Sequence, residues 1–410
     1  MTGDPSARPR SVEEHAALVA RMLEPLSEEP AEESVPLDHA LGRVTAEEVR
    51  SQVDLPLFRN SQMDGYAVRS ADVHEVPVAL EVTGDIPAGH TTPVSLVAGT
   101  ALRIMTGAPV PTGADTIVPV EDTELVLGRD DDLSGAIVEI RRSRRRGEYV
   151  RERGSDVRRG DVLVPARTRL APRHLAALAA AGVESVTVRA RLRVGILTSG
   201  TELIATGTPG FGQVYDANGI ALAALVQEAG ATVSVRASSD DDPAAFERIL
   251  DDALRTSDLI ITSGGISRGA YEVVREVLHP RGADVTTVAM QPGGPQATAV
   301  VGGVPVFAFP GNPVSTQVSF VVFLRDPLRA AAGLPGIPPR EVTLREPVRS
   351  IPGRRQFLRG VLDGAGAAVS PASGPSSHLV AGMAKADVLI DLPEEAETLE
   401  AGSPVTVWTL

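Results

Sequence analysis

Three short turns in the second half of the chain carry residue types suited to holding phosphate. They are Thr198-Ser199-Gly200-Thr201-Glu202, Thr262-Ser263-Gly264-Gly265 and Pro310-Gly311-Asn312-Pro313. Glycine lets a ligand approach the backbone, and hydroxyls and peptide N–H groups donate to anionic oxygens. One such turn is a common way to leave any strand. Three on one sheet edge favour a ligand pocket over plain turn chemistry. Acidic residues fall beside the same turns. Glu202 follows the first. Asp216 and Asn218 stand in GQVYDANG, where such residues also serve as helix N-caps. Asp240, Asp241 and Asp242 precede Pro243, and one of them is expected to cap the helix beginning there. Carboxylates beside phosphate suit Mg2+, which bridges the two kinds of oxygen. Two other stretches are dense for loops, NSQMDGYAV around Asp64 and RIMTGAP around Thr106 and Gly107. Both read equally well as tight turns.

The elements that must position these turns follow from the patterning. RVGILTSG, ATVSVRASS, DLIITSGG and VPVFAFPGN read as strands, and helical segments separate them across residues 193–330. That alternation predicts a mostly parallel, doubly wound sheet, with ligands beyond the carboxyl ends of its strands. Residues 50–140 show short β-type runs between Gly, Pro and Asp. Ser11 and Glu14 have capping-box spacing, so a helix is expected over 11–25. A short helix is expected over 37–42, and another from Pro172 to Ala180, closed by Gly182. After the proline-rich LPGIPPR, the tail is strand-rich with glycine turns, as in a small β-barrel or sandwich. The fold class expected is multidomain α/β and β. Segments 11–45 and 147–185 form a linker domain, 46–146 an inserted β-rich domain, 186–332 the α/β domain and 333–410 the C-terminal β domain.

Composition narrows the chemistry. The chain has 410 residues, room for about three domains. It has no cysteine, which excludes disulfides, thiolate metal sites and a cysteine nucleophile. Its net charge of −14 disfavours nucleic acid as a partner. The run Arg141-Arg142-Ser143-Arg144-Arg145-Arg146 is either an anion patch or, the favoured reading, a solvated turn. Lys385 is the single lysine, so arginine must carry any cationic role elsewhere. No apolar run is long enough to span a bilayer and the N-terminus lacks a signal-peptide core, so a cytoplasmic protein is expected.

NSQMDGYAV, ALRIMTGAPVPTGADTIVPVED, RERGSDVRRGDVL, RVGILTSGTEL, GQVYDANG, DLIITSGGIS, VAMQPGGP, FPGNPVS and GRRQFLRG occur in that order. With them the chain resembles the molybdopterin molybdenumtransferases, the MoeA-like enzymes that are also similar to the gephyrin E domain. The resemblance implies a central molybdopterin-binding domain, a C-terminal β-barrel and an elongated homodimer. It implies a transferase of molybdenum cofactor biosynthesis that uses adenylylated molybdopterin, molybdate and Mg2+ and releases AMP. By motif, Ser199, Gly200, Asp216, Asn218, Ser263, Gly264, Gly265, Pro310, Gly311 and Asn312 would hold pterin phosphate and nucleotide. Ser315, Arg354 and Ser377, or Ser376 in its place, would hold molybdate. Glu202 and Asp242 would hold the metal and act with Asp64 as the catalytic acids. Asp64, Thr106 and Gly107 would face the pocket of the other subunit. Molybdoenzymes or other proteins of the pathway are the implied protein partners.

Several positions depart from the family pattern. QPGGP, residues 291–295, stands where relatives have KPGKP, so both lysines are absent. Arg268-Gly269-Ala270-Tyr271 replaces a stretch that ends in Asp-Tyr, Thr201 replaces an acid, and Gln296-Ala297-Thr298-Ala299 replaces LAFG. Each absent charged group forfeits about 1.5–3 kcal/mol of interaction with an ionic ligand. Two alternatives therefore stand beside the transferase: a degenerate paralogue that carries pterin or nucleotide with little turnover, and a scaffold without pterin binding.

Overall fold

The computed structural model describes residues 8–28, 30–89, 91–129, 132–266 and 272–410. The replaced stretch Arg268-Gly269-Ala270-Tyr271 lies outside them. The chain divides into two compact units, Met1–Glu33 with Arg189–Leu410, and Ser34–Val188.

The first unit is built on a six-stranded sheet. Its order is Thr232–Ser239, Arg193–Ser199, Leu259–Ser263, Val304–Phe309, Pro295–Val301 and Asp284–Thr287. The first four strands run parallel, as the alternation predicts. The last two are antiparallel additions that the pattern did not reveal. The parallel strands are near-continuous apolar runs because helices cover both faces. Leu222, Val226, Val314 and Val318 pack on one face, and Phe246, Leu250, Val274 and Leu278 on the other.

The N-terminal helix, Val12–Glu28, starts on the expected capping box. Ser11 Oγ accepts from Glu14 N at 3.1 Å, and Glu14 Oε2 accepts from Ser11 N at 2.8 Å. Its buried Val12, Val19 and Leu23 join the core of the first unit. Val35, Ala40 and Val44, later in the same segment, 11–45, are buried in the second unit instead. His15 on this helix is 1% exposed and meets the edge of Phe323, with ring centroids 4.7 Å apart. Burial lowers its pKa to about 4, Arg10 adds to the fall and Asp284 opposes it. The unfolded chain thus binds a proton that the folded chain refuses between pH 6.5 and 4, and stability is lost as pH falls through that window. The loss by pH 5 should be about 2 kcal/mol. Chemical unfolding at pH 7 and pH 5 should show it, and His15→Gln should flatten the difference. An equal pH slope in that variant would remove His15 as the cause.

The C-terminal strands close into a five-stranded barrel, Arg355–Leu362, Ala368–Pro371, Arg340–Leu344, Pro404–Thr409 and Val388–Leu392. The last pairs back onto the first. Closure leaves no free edge except where Met290–Gln291 adds in parallel to Arg355–Gln356. That addition ties the QPGGP turn to the barrel.

In the second unit a curled sheet runs Thr116–Pro119, Gly65–Val68, Thr100–Ile104, Val78–Ile86, Asp132–Ile140 and Thr123–Arg129. A Cβ on Gly65 would overlap the Val118 carbonyl, which explains the glycine after Asp64. A separate small core joins Val35 and Ala40 to Val164, Leu170, Leu178 and Val188. Within it, the helix Pro172–Ala180 ends before Gly182 at φ 73°, as expected. The expected 37–42 helix is a single 3-10 turn, Leu37–His39. The arginine run is a paired surface turn. Arg141 meets Glu124 and Glu139, and Arg144 meets Asp122.

Candidate active site

Strand register brings the three glycine turns together. Thr198 lies beside Ser263, and Ser263 beside Phe309, so all three turns leave one edge of the sheet. Gly264 N donates to Phe309 O at 3.1 Å. Gly264 has φ +98°, and a Cβ there would fall 2.5 Å from Ser199 O. A Cβ on Gly311 would fall 3.3 Å from Gly264 Cα. The edge is thus bare backbone, which a side chain would either distort or fill. Gly264→Ala should displace the first turn and weaken ligand binding at least tenfold, by about 1.4 kcal/mol or more. Equilibrium binding of the pterin nucleotide checks this; unchanged affinity would mean the ligand does not approach this edge.

A cavity of about 850 Å³ opens over the edge. Ser199, Gly200, Asn218, Ser263, Gly264, Gly265, Pro310, Gly311, Asn312 and Ser315 all line it, which joins ten of the residues singled out by sequence. Asn218 holds two turns together, donating from Nδ2 to Ser263 Oγ at 2.9 Å and to Gly311 O at 2.6 Å. Its Oδ1 and the Ser199 Oγ are buried without partners among the described residues. Such orphans cost about 1–3 kcal/mol each, and a ligand in the cavity would relieve that cost.

Two acids fall elsewhere than expected. Asp216 caps the helix Ala217–Glu228, accepting from Gly219 N at 2.9 Å, and takes Thr198 Oγ1 at 3.1 Å. It does not line the cavity, whose wall here is Asn218. Asp242 caps the helix Pro243–Leu254, accepting from Ala244 N and Ala245 N at 3.2 Å each. Its oxygens are committed to the helix, and its neighbour Asp241 reaches the wall, where Thr201 Oγ1 donates to it at 2.6 Å. Proline at the first helical position marks the residue before it as the cap, so this assignment was available in the sequence. Glu202 stands on the same wall. Among the described residues no group of three or more His, Asp or Glu side chains forms a metal cage. Two carboxylates beside a phosphate cradle do fit Mg2+, which commonly takes one or two carboxylates and completes its shell with phosphate and water.

The opposite wall is formed by the QPGGP turn and the barrel. Gln291 Oε1 accepts from Gln356 Nε2 at 2.8 Å, and Gly294 offers only backbone. Buried Gln296 fixes the turn from beneath, donating to Gly293 O at 2.7 Å and Ser319 Oγ at 2.8 Å. Arg354 and His378 are the basic side chains on the wall among the described residues, and Ser376 and Ser377 lie beside them.

In the second unit, Asp64 Oδ1 accepts from Thr106 N at 2.6 Å and from Thr106 Oγ1 at 2.7 Å. These bonds, the backbone one foremost, hold the carboxyl below its usual pKa. The dense stretches are thus one cluster, and Gly107, at φ 80° in the second stretch, donates from its N to Ser61 O at 2.8 Å in the first.

The chain is similar to known proteins along nearly its whole length. Family models described as MoeA N-terminal region (domain I and II), probable molybdopterin binding domain and MoeA C-terminal region (domain IV) match residues 10–182, 195–330 and 341–410. Molybdopterin molybdenumtransferase 2 of Mycobacterium tuberculosis is 43% identical over 98% of this chain and 100% of its own length. The molybdopterin molybdenumtransferase of Nostoc sp. is 35% identical over 98% of this chain and 94% of its own length. The crystal structure of a molybdopterin biosynthesis MoeA protein from Pyrococcus horikosii superposes with TM-score 0.78 at 31% identity, covering 96% of this chain and 98% of that one. Similarity of that extent, spanning both units and every turn at the cavity, leaves one conclusion: the chain belongs to the MoeA family of molybdopterin molybdenumtransferases.

Proposed function

We propose that this protein inserts molybdenum into adenylylated molybdopterin, as a transferase of molybdenum cofactor biosynthesis. The observation that carries the reading is the convergence of three glycine turns, with two unpartnered polar atoms, on one 850 Å³ cavity. Ser199, Asn218, Ser263 and the backbone of Gly264, Gly265 and Pro310–Asn312 hold the pterin phosphate and the nucleotide. Ser315, Arg354 and Ser377 hold molybdate. Glu202 and Asp241 would hold Mg2+, which when bound would offset repulsion between two oxyanions held close together. Water cleaves the anhydride between the pterin phosphate and the adenylate and AMP leaves; molybdenum bonds to the two dithiolene sulfurs as a molybdate oxygen takes up their protons and departs as water. The chain's part is to position both anions and keep the cleft in register with the barrel wall.

The domain reading proposed is 11–45 with 147–185, 46–146, 186–332 and 333–410, with the helix Val12–Glu28 packed on the core of the first unit. The protein acts as a cytoplasmic homodimer, in which Asp64, Thr106 and Gly107 of one subunit complete the pocket of the other. Molybdoenzymes or cofactor-pathway proteins receive the product. Among the described residues no helix is long and apolar enough to cross a membrane. Binding of adenylylated molybdopterin, followed by calorimetry with and without Mg2+, tests the reading. Affinity that strengthens with Mg2+ and is lost in Gly264→Ala is expected. Absence of binding by the wild-type protein would overturn it.

A further inference from the structure

The barrel strand Arg355–Leu362 buries an arginine that the site described above does not use. Arg359 is 0% exposed. Its Nε donates to Ser373 Oγ at 3.2 Å, and its Nη2 to the carbonyls of Gly374 and Ser376. No carboxylate pairs with it among these contacts, and Nη1 has no partner among the described residues. A buried guanidinium without a counter-ion is expensive, and burial lowers its pKa. Packing alone would be served better by an apolar side chain. The acceptors of this arginine belong to one loop, whose continuation, Pro375–His378, forms part of the cavity wall.

The peptide plane supplies the connection. In a trans peptide the C=O and the following N–H point in opposite directions. With Ser376 C=O turned onto Arg359, the Ser377 N–H is turned away from it. That N–H has no backbone acceptor among the described residues. Ser377 O is fixed in turn by Val314 N at 3.2 Å, at the start of the helix after Pro310-Gly311-Asn312. The loop is therefore pinned on one side to the barrel and on the other to the α/β sheet.

We infer that Arg359 is a positioning residue for oxyanion binding: through Gly374 and Ser376 it aims the Ser377 amide into the cavity and adds an unneutralised positive charge behind it. This rests on the proposed molybdate site and explains how a cavity with Gln291 and Gly294 still attracts a dianion. A buried charge acts through a low dielectric and is screened less than an exposed one. The sequence carried a signal. Arg355, Phe357 and Arg359 alternate on one strand, so Arg359 shares a face with Phe357, which packs in the α/β core while Leu358 fills the barrel.

The test uses the full-length wild type, Arg359→Met, Arg359→Lys and Ser373→Ala. Molybdate affinity is measured by calorimetry, and KM for adenylylated molybdopterin is measured beside it. Arg359→Met is expected to weaken molybdate binding roughly 10–100-fold, with the pterin KM near wild type. Arg359→Lys should recover part of the loss, because charge is kept while the forked contact to two carbonyls is not. Should Arg359→Met fail to fold, Ser373→Ala removes one hydrogen bond without touching the charge and should weaken molybdate binding by a smaller factor. Amide exchange across 373–379 should quicken in each folded variant. Molybdate affinity unchanged in the folded variants, with wild type binding normally, overturns the role of Arg359 alone. A wild type that binds neither molybdate nor pterin overturns the functional reading and this inference with it.

Discussion

Asp241→Asn and Glu202→Gln each lower the rate of molybdenum insertion by about 100-fold, and Asp242→Asn leaves it near wild type. The three residues sit close in space or sequence, yet their oxygens have different partners. Asp241 and Glu202 face the cavity, beside the turn Ser199-Gly200. Glu272 also lines the cavity, and the proposed Mg2+ would draw a large share of its charge compensation from Glu202 and Asp241. Asp242 is spent on the helix N-terminus, where asparagine caps as well as aspartate. The assay is AMP release at saturating molybdate across a Mg2+ titration. The Asp241 and Glu202 variants should need more Mg2+ as well as turn over more slowly. Loss in Asp242→Asn with full activity in Asp241→Asn would reverse the assignment.

Asp391→Ala destabilises the barrel by about 2–4 kcal/mol. Asp391 is 4% exposed and accepts from Arg355 Nε at 2.8 Å, Arg355 Nη2 at 2.6 Å and Trp408 Nε1 at 2.8 Å. Removing it leaves an indole N–H and a guanidinium fork without their acceptor. Arg355 keeps Glu13 on the N-terminal helix and is partly open to water, so the cost stays short of that for a wholly buried pair. Trp408 is the only tryptophan in the chain, so its fluorescence reports this site directly. Denaturant unfolding followed at the tryptophan should show a lower midpoint for Asp391→Ala and a smaller drop for Asp391→Asn. An unchanged midpoint would show that Arg355 and Trp408 rehydrate freely.

The readable parts of the site were those where chemistry constrains adjacent residues. Gly264 and Gly311 are required by close approach of backbone, and such a requirement is written locally. The parallel strands ending at Ser199 and Ser263 were legible because burial on both faces leaves unbroken apolar runs. Which of three consecutive aspartates reaches the cavity wall turns on the helix start, and Pro243 marks Asp242 as the cap and leaves Asp241 for the wall. Asp216 caps its helix and does not line the cavity, and the sequence does not separate these because a cap and a ligand contact use the same residue type. Asp284–Thr287 is a short, partly polar edge strand, and Pro295–Val301 is the buried strand beside it; the pairing of both is decided by the sheet. The site of the N-terminal helix was hidden because an amphipathic pattern says that a face is buried, not against what.

The most direct test incubates the purified protein with adenylylated molybdopterin, molybdate and Mg2+, and measures AMP release together with molybdenum bound to the pterin. AMP and molybdenum-loaded pterin should appear in equal amounts, and neither should appear without molybdate. Tight binding of the pterin nucleotide with no AMP release would contradict the transferase and leave a carrier in its place.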